Sequence, residues 1–431
     1  MAQFRTDKHI IDSNQILTRY EVNGLMESIT PSTTHVDSYG RFRVSEQYEL
    51  FTSQRIGARQ YKFDEKLTGT ANSTFSVNES SMLLNVGTAA GDEVIRESLQ
   101  VVPFQPGKSM QTVMSFVMAP PKENLRQRVG FFDSKNGIYF ENNGGINYFV
   151  IRSYSSGAVI ETRVPQSDWN FDKFDGTGYS SQACRNNFIL DPTLVNIFWI
   201  DTASFTSRNI RMGFIANGRP YLGHVCDTAL TGETATLTTL SLPFRYEITN
   251  LGTTSSTSTL RQINCAASSE GGFQLSGLNE GASRGYTVAV ADNLAVAGQE
   301  YPLFSYRLKA DRRNNVVIPN HFHIYVDSNA TVSFRIWVGA TATGGSWETN
   351  HPARHVEFNR TLTGWTTTNG RVVQGGFVTG GASVQSNASL TNLNYSLGRY
   401  LDGTTQEVIL AIIPTQANIK VLVKADWIEL V

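Results

Sequence analysis

Val129-Gly130-Phe131-Phe132-Asp133 and Ile138-Tyr139-Phe140-Glu141 are apolar runs separated only by Ser134-Lys135-Asn136-Gly137. Asn-Gly between two apolar runs is the strongest short-range signal for a β-hairpin. A second such turn, Asn217-Gly218, lies between the apolar runs at 211–215 and 221–225. The chain is therefore predicted to consist of short antiparallel strands joined by tight turns.

The same pattern continues through most of the 431 residues. Strand-like runs recur at 157–164, 195–201, 244–249, 302–308, 321–326, 332–338, 407–413 and 419–430. Short strands with frequent turn signals are typical of sandwiches. The predicted fold class is all-β, with two β-sandwich, jelly-roll-like domains preceded by an extended N-terminal arm. Only the stretch 91–99 favours a short helix.

The polar stretches of the chain suggest three parts. Residues 1–45 contain no long core-forming strand and are predicted to be an arm that anchors the chain, with a floppy terminus as the alternative. Residues 46–273 are predicted to form the first sandwich and residues 280–431 the second. The Gly-, Thr-, Ser- and Asn-rich stretch 361–394 is predicted to be a long surface loop or weak strands.

Composition excludes several classes of protein. The net charge is -1, so the basic excess of a nucleic-acid binder is missing. No apolar stretch approaches the ~18 residues that span a bilayer, and the first residues lack the apolar core of a secretory signal. The three cysteines, Cys184, Cys226 and Cys265, match no zinc spacing, so free thiols in a reducing compartment are expected. No cofactor is predicted.

One loop combines acids with a tryptophan. Asp168, Trp169, Asp172 and Asp175 lie within eight residues, and an exposed indole beside carboxylates would bind a sugar or calcium. The spacing departs from that of a calcium loop. The alternative is a loop of Asx turns that packs its aromatic residues.

Two histidines are the candidates for a metal site, although the predicted metal content is none. His321 and His323 are two residues apart, so on a strand they share one face. A third ligand would have to come from His351 or His355. The alternative is a pair of half-exposed strand histidines.

Catalytic chemistry has no defined signal. Glu141, Glu161 and Glu247 lie on predicted strands, but their spacing favours no pair for glycoside hydrolysis. The sequence therefore predicts no catalytic residue and no enzyme. Trp337, Trp347 and Trp365 of the second domain are candidates for exposed aromatic contacts with a ligand.

The stretch Asp37-Ser38-Tyr39-Gly40-Arg41-Phe42-Arg43-Val44-Ser45 resembles the opening of a module found in structural proteins of tailed bacteriophages. Ser38-Tyr39 stands where that module more often has Ala-Phe. Further similar stretches lie at 126–133, 164–178, 198–201, 243–248 and 269–272. The resemblance covers about residues 36–273, over half of the chain. The module positions it matches include Asp37, Gly40, Arg41, Arg43 and Val44.

This resemblance implies a virion protein assembled in the host cytoplasm: a tail fibre, a head fibre or a capsid decoration. Its partners would be other capsid or tail proteins and its own copies, most often as a homotrimer, with no nucleic acid and no membrane insertion. Two alternatives remain. The first is a receptor-binding adhesin that recognises a host-surface glycan, and the second is a polysaccharide depolymerase.

Overall fold

The structure is a computed structural model. It describes residues 17–18, 21–22, 25–26, 30–31, 46–54, 62–176, 188–202, 210–226, 237–272, 277–287, 292–381, 386–389 and 396–430. The predicted arm and the motif from Asp37 to Val44 therefore lie outside the described residues, apart from four two-residue strands. These are β1 (Leu17–Thr18), β2 (Glu21–Val22), β3 (Leu25–Met26) and β4 (Thr30–Pro31), with β1 paired to β4 and β2 paired to β3.

The chain divides into two compact units. The first comprises residues 1–98 and 102–273, and the second comprises residues 99–101 and 274–431. Leu99–Val101 groups with the second unit, where the Leu99 carbonyl accepts a hydrogen bond from the Arg399 backbone N–H at 2.8 Å. The sequence predicts a domain boundary between residues 273 and 280, but it does not predict that residues 99–101 belong to the second unit.

The first unit contains an eight-stranded antiparallel sheet. Its order is β17-β16-β15-β10-β19-β8-β7, and β5 pairs with the second half of β19. The strands are β5 (Gln47–Ser53), β7 (Asn72–Ser76), β8 (Ser81–Val86), β10 (Met110–Val117), β15 (Asn196–Thr202), β16 (Ile210–Ala216), β17 (Arg219–Cys226) and β19 (Ser258–Glu270).

A seven-stranded antiparallel sheet forms the second layer of this unit. Its order is β14-β13-β12-β11-β18-β9-β6. The strands are β6 (Phe63–Thr68), β9 (Glu93–Ser98), β11 (Leu125–Phe132), β12 (Gly137–Asn143), β13 (Ile146–Ser153), β14 (Ile160–Pro165) and β18 (Phe244–Asn250). A 3-10 turn follows β14 at Gln166–Asp168.

The core of the first unit contains many aromatic rings. Phe140, for example, packs against Phe116, Phe198 and Phe214 at ring distances of 5.2–6.1 Å. These rings come from both sheets. Alternate residues of a strand face the same side, and the rings lie on the side of each sheet that faces the other sheet. The residues between them on the seven-stranded sheet face away from this core, and we call that side the outer face.

The second unit also contains two antiparallel layers. One has the order β20-β31-β23-β29, with β21 also on β31, and the other has the order β26-β22-β30-β24-β28. The first layer contains β20 (Leu278–Ser283), β21 (Asp292–Leu294), β23 (Val316–Val326), β29 (Ser386–Ser389) and β31 (Ile419–Leu430). The second contains β22 (Tyr301–Leu308), β24 (Thr331–Val338), β26 (Val356–Asn359), β28 (Arg371–Thr379) and β30 (Val408–Pro414).

A small two-stranded sheet, β25 (Thr341–Thr343) with β27 (Gly364–Thr366), completes this unit. A 3-10 turn lies at Ala310–Arg312. Tyr306 and Trp427 stack at 5.3 Å in the core between the layers. Residues 361–394 are predicted to be a long surface loop or weak strands. The structure has strands there, because β27, β28 and β29 all lie within this stretch.

The all-β prediction with two sandwich units is confirmed. The Asn217-Gly218 turn joins β16 to β17 with both residues at positive φ, 51° and 72°, as a two-residue hairpin turn requires. The short helix favoured at 91–99 is wrong, because Glu93–Ser98 is strand β9 and pairs with β6 on one side and β18 on the other. Among the described residues no helix is long and apolar enough to cross a membrane.

Candidate functional site

The outer face of the seven-stranded sheet carries a dense set of paired charges. Adjacent strands place opposite charges directly across from each other, as in the pairs Arg128–Glu141, Arg128–Glu247 and Arg152–Glu161. We call this set the arginine–glutamate network. Its members are Glu97, Arg126, Arg128, Glu141, Arg152, Glu161, Arg163, Arg245 and Glu247.

Arg128 is the centre of the network. Its Nε lies 2.6 Å from Glu141 Oε2, its Nη1 3.3 Å from Glu247 Oε1, and its Nη2 3.5 Å from Glu161 Oε2. The side chains of Glu141 and Glu247 are only 0% and 3% exposed. Each of the three glutamates also contacts a second arginine. The structure thus brings together the three carboxylates whose pairing the sequence left undefined.

Two aromatic rings lie among these charges. Phe132 and Tyr139 pack with their centroids 4.4 Å apart, and the Arg152 guanidinium lies 5.3 Å from both. Arg128 lies over Tyr139 as well, and Tyr139 Oη donates to Glu161 at 2.8 Å. The contacts are cation–π interactions, which strengthen when water is excluded. Gly130 has to lack a side chain, because a Cβ there would overlap the Tyr139 backbone and Cβ.

The charges determine what this network can do chemically. Burial raises the pKa of Glu161, but the Arg128 charge and the hydrogen bonds from Tyr139 and Arg152 outweigh it and lower the pKa to about 2. For Glu247, burial is likewise outweighed by Arg245 and Arg128, which lower the pKa to about 2. A general acid must hold a proton near neutral pH. Glu161 and Glu247 are therefore ionised structural groups and are unsuited to protonating a glycosidic oxygen.

The network makes the first unit sensitive to acid. A carboxylate whose pKa is lowered on folding adds stability above its unfolded pKa of ~4.5, and this stability is lost as the pH falls through the folded pKa. We expect these two carboxylates to leave the melting temperature unchanged above pH 5 and to lower it between about pH 4.5 and pH 2. Thermal unfolding followed by circular dichroism measures this.

The matched variants for this pH series are Glu247→Gln, which removes one titrating group of the network, and Glu79→Gln, which alters an exposed pair with Arg261. Glu247→Gln is expected to be less stable at pH 7 and to lose less stability on acidification, whereas Glu79→Gln follows the wild-type profile. A wild-type melting temperature that is the same at pH 5 and pH 2.5 would contradict the assignment.

The sequence did not single out the arginines of this network. Arg126, Arg128, Gly130 and Phe132 alternate along β11, which is a visible period-two pattern. This pattern does not identify the partner strand of β11. That partner is β18, which lies more than 100 residues further along the chain. The network follows from sheet order rather than from any local motif.

The loop with Asp168, Trp169, Asp172 and Asp175 does not present an exposed indole. Trp169 is 2% exposed and stacks on Phe149 at 3.9 Å, and its Nε1 donates to the Val164 carbonyl at 3.1 Å. The prediction of an exposed tryptophan is wrong here, because the indole fills the edge of the aromatic core.

The acids of the same loop point in different directions. Asp168 and Asp175 are exposed, whereas Asp172 is buried and its Oδ1 accepts a hydrogen bond from the Phe174 backbone N–H at 2.8 Å. That contact is an Asx turn, which accompanies a positive φ of 51° at Phe174. The alternative of an Asx-turn loop that packs aromatic residues describes this segment.

His224 on β17 fixes the same loop. Its Nδ1 accepts a hydrogen bond from the Asn170 backbone N–H at 3.2 Å, and burial lowers its pKa to about 4. The unfolded chain binds a proton at this group near pH 6.5 and the folded chain does not, so stability is lost as the pH falls from about 6.5 to 4.

The variant His224→Asn removes this titrating group, and His351→Asn, which changes an exposed histidine, is its control. Between pH 7 and pH 5, His224→Asn is expected to lose about 1 kcal/mol less unfolding free energy than His351→Asn. Urea denaturation at both pH values tests this, and equal losses in the two variants would contradict it.

The metal candidates His321 and His323 share one face of β23, with ring centroids 6.1 Å apart. His323 Nε2 lies 2.7 Å from Asp426 Oδ2, and Lys424 binds the other oxygen of this carboxylate at 2.8 Å. His355 lies just before β26 instead, with its Nε2 3.1 Å from Asn315 Nδ2 and its backbone N–H donating to Glu429 Oε2 at 3.0 Å. In the part of the chain that the structure describes, no group of three or more His, Cys, Asp or Glu side chains is arranged to hold a metal ion.

Two of the three cysteines fall within the described residues. Cys226 and Cys265 are both buried and form no disulfide bond. Burial raises the pKa of the Cys226 thiol to about 12, which keeps it protonated and unreactive at neutral pH. Cys184 lies outside the described residues.

The three candidate tryptophans of the second unit come from one sheet face and the loops that cover it. Trp337 and Trp365 pack against the same small cluster of Ala340, Leu362 and Ile409. Trp347 lies under the Arg307 guanidinium at 3.8 Å. All three rings are half-buried rather than fully exposed.

Arg307 links the Trp347 contact to the rest of that face. Its Nε lies 2.7 Å from Glu357 Oε1 and its Nη1 2.8 Å from Glu407 Oε1. Glu407 Oε2 accepts a hydrogen bond from the Ala342 backbone N–H at 2.7 Å, and Ala342 pairs with Trp365 across the small sheet. The three tryptophans therefore belong to one connected surface of the second unit.

Comparison with known proteins gives only remote similarity. No protein-family model matches the sequence, and no curated protein matches it. Among solved structures, the carbohydrate recognition domain of Emp47p has a TM-score of 0.32 at 7% identity and covers 51% of this chain and 96% of its own. The receptor binding domain of a botulinum neurotoxin C/D mosaic serotype has a TM-score of 0.29 at 9% identity and covers 51% and 47%. With scores this low, these likenesses carry no argument about what this chain does.

Proposed function

We propose that the chain is a structural protein of a tailed-bacteriophage virion and that its first unit is a rigid scaffold. One observation carries the proposal. The stretches 126–133 and 243–248, which resemble the virion module, contain most of the adjacent strands β11 and β18 and supply Arg128 and Glu247 to the network. The stretches that resemble the module thus hold a sheet together, as suits a protein whose task is assembly.

The mechanism of such a protein is association. Apolar area buried between subunits and strands or arms exchanged between them supply the binding energy. The partners would be capsid or tail proteins and further copies of this chain, with a homotrimer as the expected state. The segment proposed to dock on the particle, residues 1–45 with its motif from Asp37 to Val44, lies outside the described residues.

Cryo-electron microscopy of purified particles of the encoding phage tests the proposal. We expect density for this chain on the head, as a fibre or decoration, or on the tail, as a fibre. Its absence from purified particles would overturn the structural role.

Deletion of residues 1–35 tests the anchor separately. The truncated chain is expected to keep its circular dichroism spectrum and to be missing from particles. Normal incorporation would contradict docking through this segment while leaving the virion role intact.

A second candidate function is a receptor-binding adhesin that recognises host-surface glycan. The observation that favours it is the connected surface with Trp337, Trp347 and Trp365. Binding of the full chain to host cells, before and after removal of their surface polysaccharide, tests it. A polysaccharide depolymerase would release reducing sugar in the same experiment, and we expect no release.

A further inference from the structure

Two apolar rings lie on one sheet face of the second unit. Phe377 on β28 is 77% exposed and lies opposite Ser333 of β24. Trp337 lies further along β24, opposite the half-exposed Val372. Single exposed apolar residues are normal on a folded surface, but exposed apolar residues on one face mark contact sites when they occur together. We call Trp337, Val372 and Phe377 the aromatic stripe.

An ion pair lies within the stripe. Arg335 is between Ser333 and Trp337 on β24 and faces Gly375, which has no side chain to cover it. Glu300 Oε2 lies 3.2 Å from Arg335 Nη1, and Glu300 Oε1 accepts a hydrogen bond from Trp337 Nε1 at 2.9 Å. The Arg335 side chain is 47% exposed. A donor and an acceptor are thus held in place beside an indole.

We propose that the aromatic stripe with Glu300 and Arg335 binds a neutral oligosaccharide. This inference rests on the proposed glycan recognition and names the ligand class and the residues that would hold it. Sugar rings present C–H groups that pack on aromatic rings, and their hydroxyls both donate and accept hydrogen bonds. Trp337 and Phe377 would supply the ring contacts, Glu300 would accept from hydroxyls, and Arg335 would donate to them.

The spacing of the rings indicates a chain of sugars rather than a single one. Phe377 is opposite Ser333, which is four residues from Trp337 on β24. At ~3.4 Å per residue the two rings are about 14 Å apart along the strand, farther than one sugar ring reaches. An oligosaccharide spans both rings and passes Arg335 on the way.

The charges favour a neutral ligand over an acidic one and over a protein. Glu300 already compensates Arg335, so this pair leaves no net positive charge to attract a carboxylate sugar. A protein partner would have to bury the ion pair, and the loss of its hydration is costly unless new partners replace it. Hydroxyl groups provide such partners on both sides.

The other two tryptophans are less suited to stacking. One face of Trp347 is covered by Arg307. Trp337 and Trp365 both pack against the Ala340 cluster, but the Nε1 of Trp365 is buried, whereas the Nε1 of Trp337 donates to Glu300 beside the stripe. The structure thus separates three residues that are equivalent in the sequence and assigns the contact to Trp337 with Phe377.

The test uses the full chain on an array of neutral and uronic-acid-containing oligosaccharides, followed by titration calorimetry with the strongest neutral ligand. Phe377→Ala is the main variant, because a side chain so exposed contributes little to folding. Trp337→Ala and Glu300→Gln are the second and third variants. Tyr286→Ala, which removes another ring that is 76% exposed, is the matched control. Circular dichroism and sedimentation velocity accompany each variant.

We expect neutral oligosaccharide binding that weakens at least several-fold in Phe377→Ala and Trp337→Ala and is unchanged in Tyr286→Ala. If all variants still bound glycan, the stripe would not be the binding site, although glycan recognition itself would stand. A preference for acidic sugars would overturn the ligand class. No binding to any glycan would remove the adhesin function itself. A change in sedimentation of Phe377→Ala without any glycan binding would make the stripe an interface between copies, which also overturns the proposal.

Discussion

Replacing Arg128 with methionine is expected to lower the free energy of unfolding by about 3 kcal/mol, at the lower end of what breaking a buried ion pair costs. Methionine keeps the apolar stem but removes the charge shared by Glu141, Glu161 and Glu247. The loss stays at the lower end because each of these glutamates keeps a second arginine. Urea denaturation at pH 7, followed by far-ultraviolet circular dichroism, measures it.

Arg261→Met is the matched control for this variant. Arg261 and Glu79 form an ion pair with the side chains 38% and 48% exposed. Exposed pairs contribute under ~1 kcal/mol because water and salt screen them. Equal losses in Arg128→Met and Arg261→Met would show that burial of the network adds nothing to stability.

Replacing Trp169 with alanine is expected to lower the free energy of unfolding by about 3–5 kcal/mol, as for other large buried aromatic side chains. The indole stacks on Phe149 and lies 5.9 Å from Phe174, and its removal leaves a cavity at the edge of the core. The measurement is again urea denaturation of the full chain. The variant also tests the role of the loop, since an indole reserved for a ligand would leave stability unchanged.

Trp347→Ala provides the same chemical change at a half-buried position. Its main described contact is the cation–π interaction with Arg307, so a loss of roughly 1 kcal/mol is expected. If both tryptophan variants were equally stable, the stack of Trp169 on Phe149 would not be a core contact, and the ligand-binding interpretation of the loop would regain its support.

The local sequence determined the class of structure. Asn217-Gly218 has two residues that readily adopt positive φ, and it joins β16 to β17 by a two-residue turn. Alternation along strands such as β11 divides each one into an apolar side and a polar side. These are short-range properties, and they are enough to predict an all-β chain with sandwich units.

Tertiary structure alone decided which sides meet and what they do. Val94 and Ile95 lie in a segment of mixed propensity that becomes β9 only because β6 and β18 pair with it. The partners of Arg128 are distributed from Glu141 to Glu247, and sheet order, not spacing, brings them within hydrogen-bonding distance. Burial of Trp169 and exposure of Phe377 likewise depend on residues far away in sequence. Cross-strand pairing is non-local, so no local pattern encodes these outcomes.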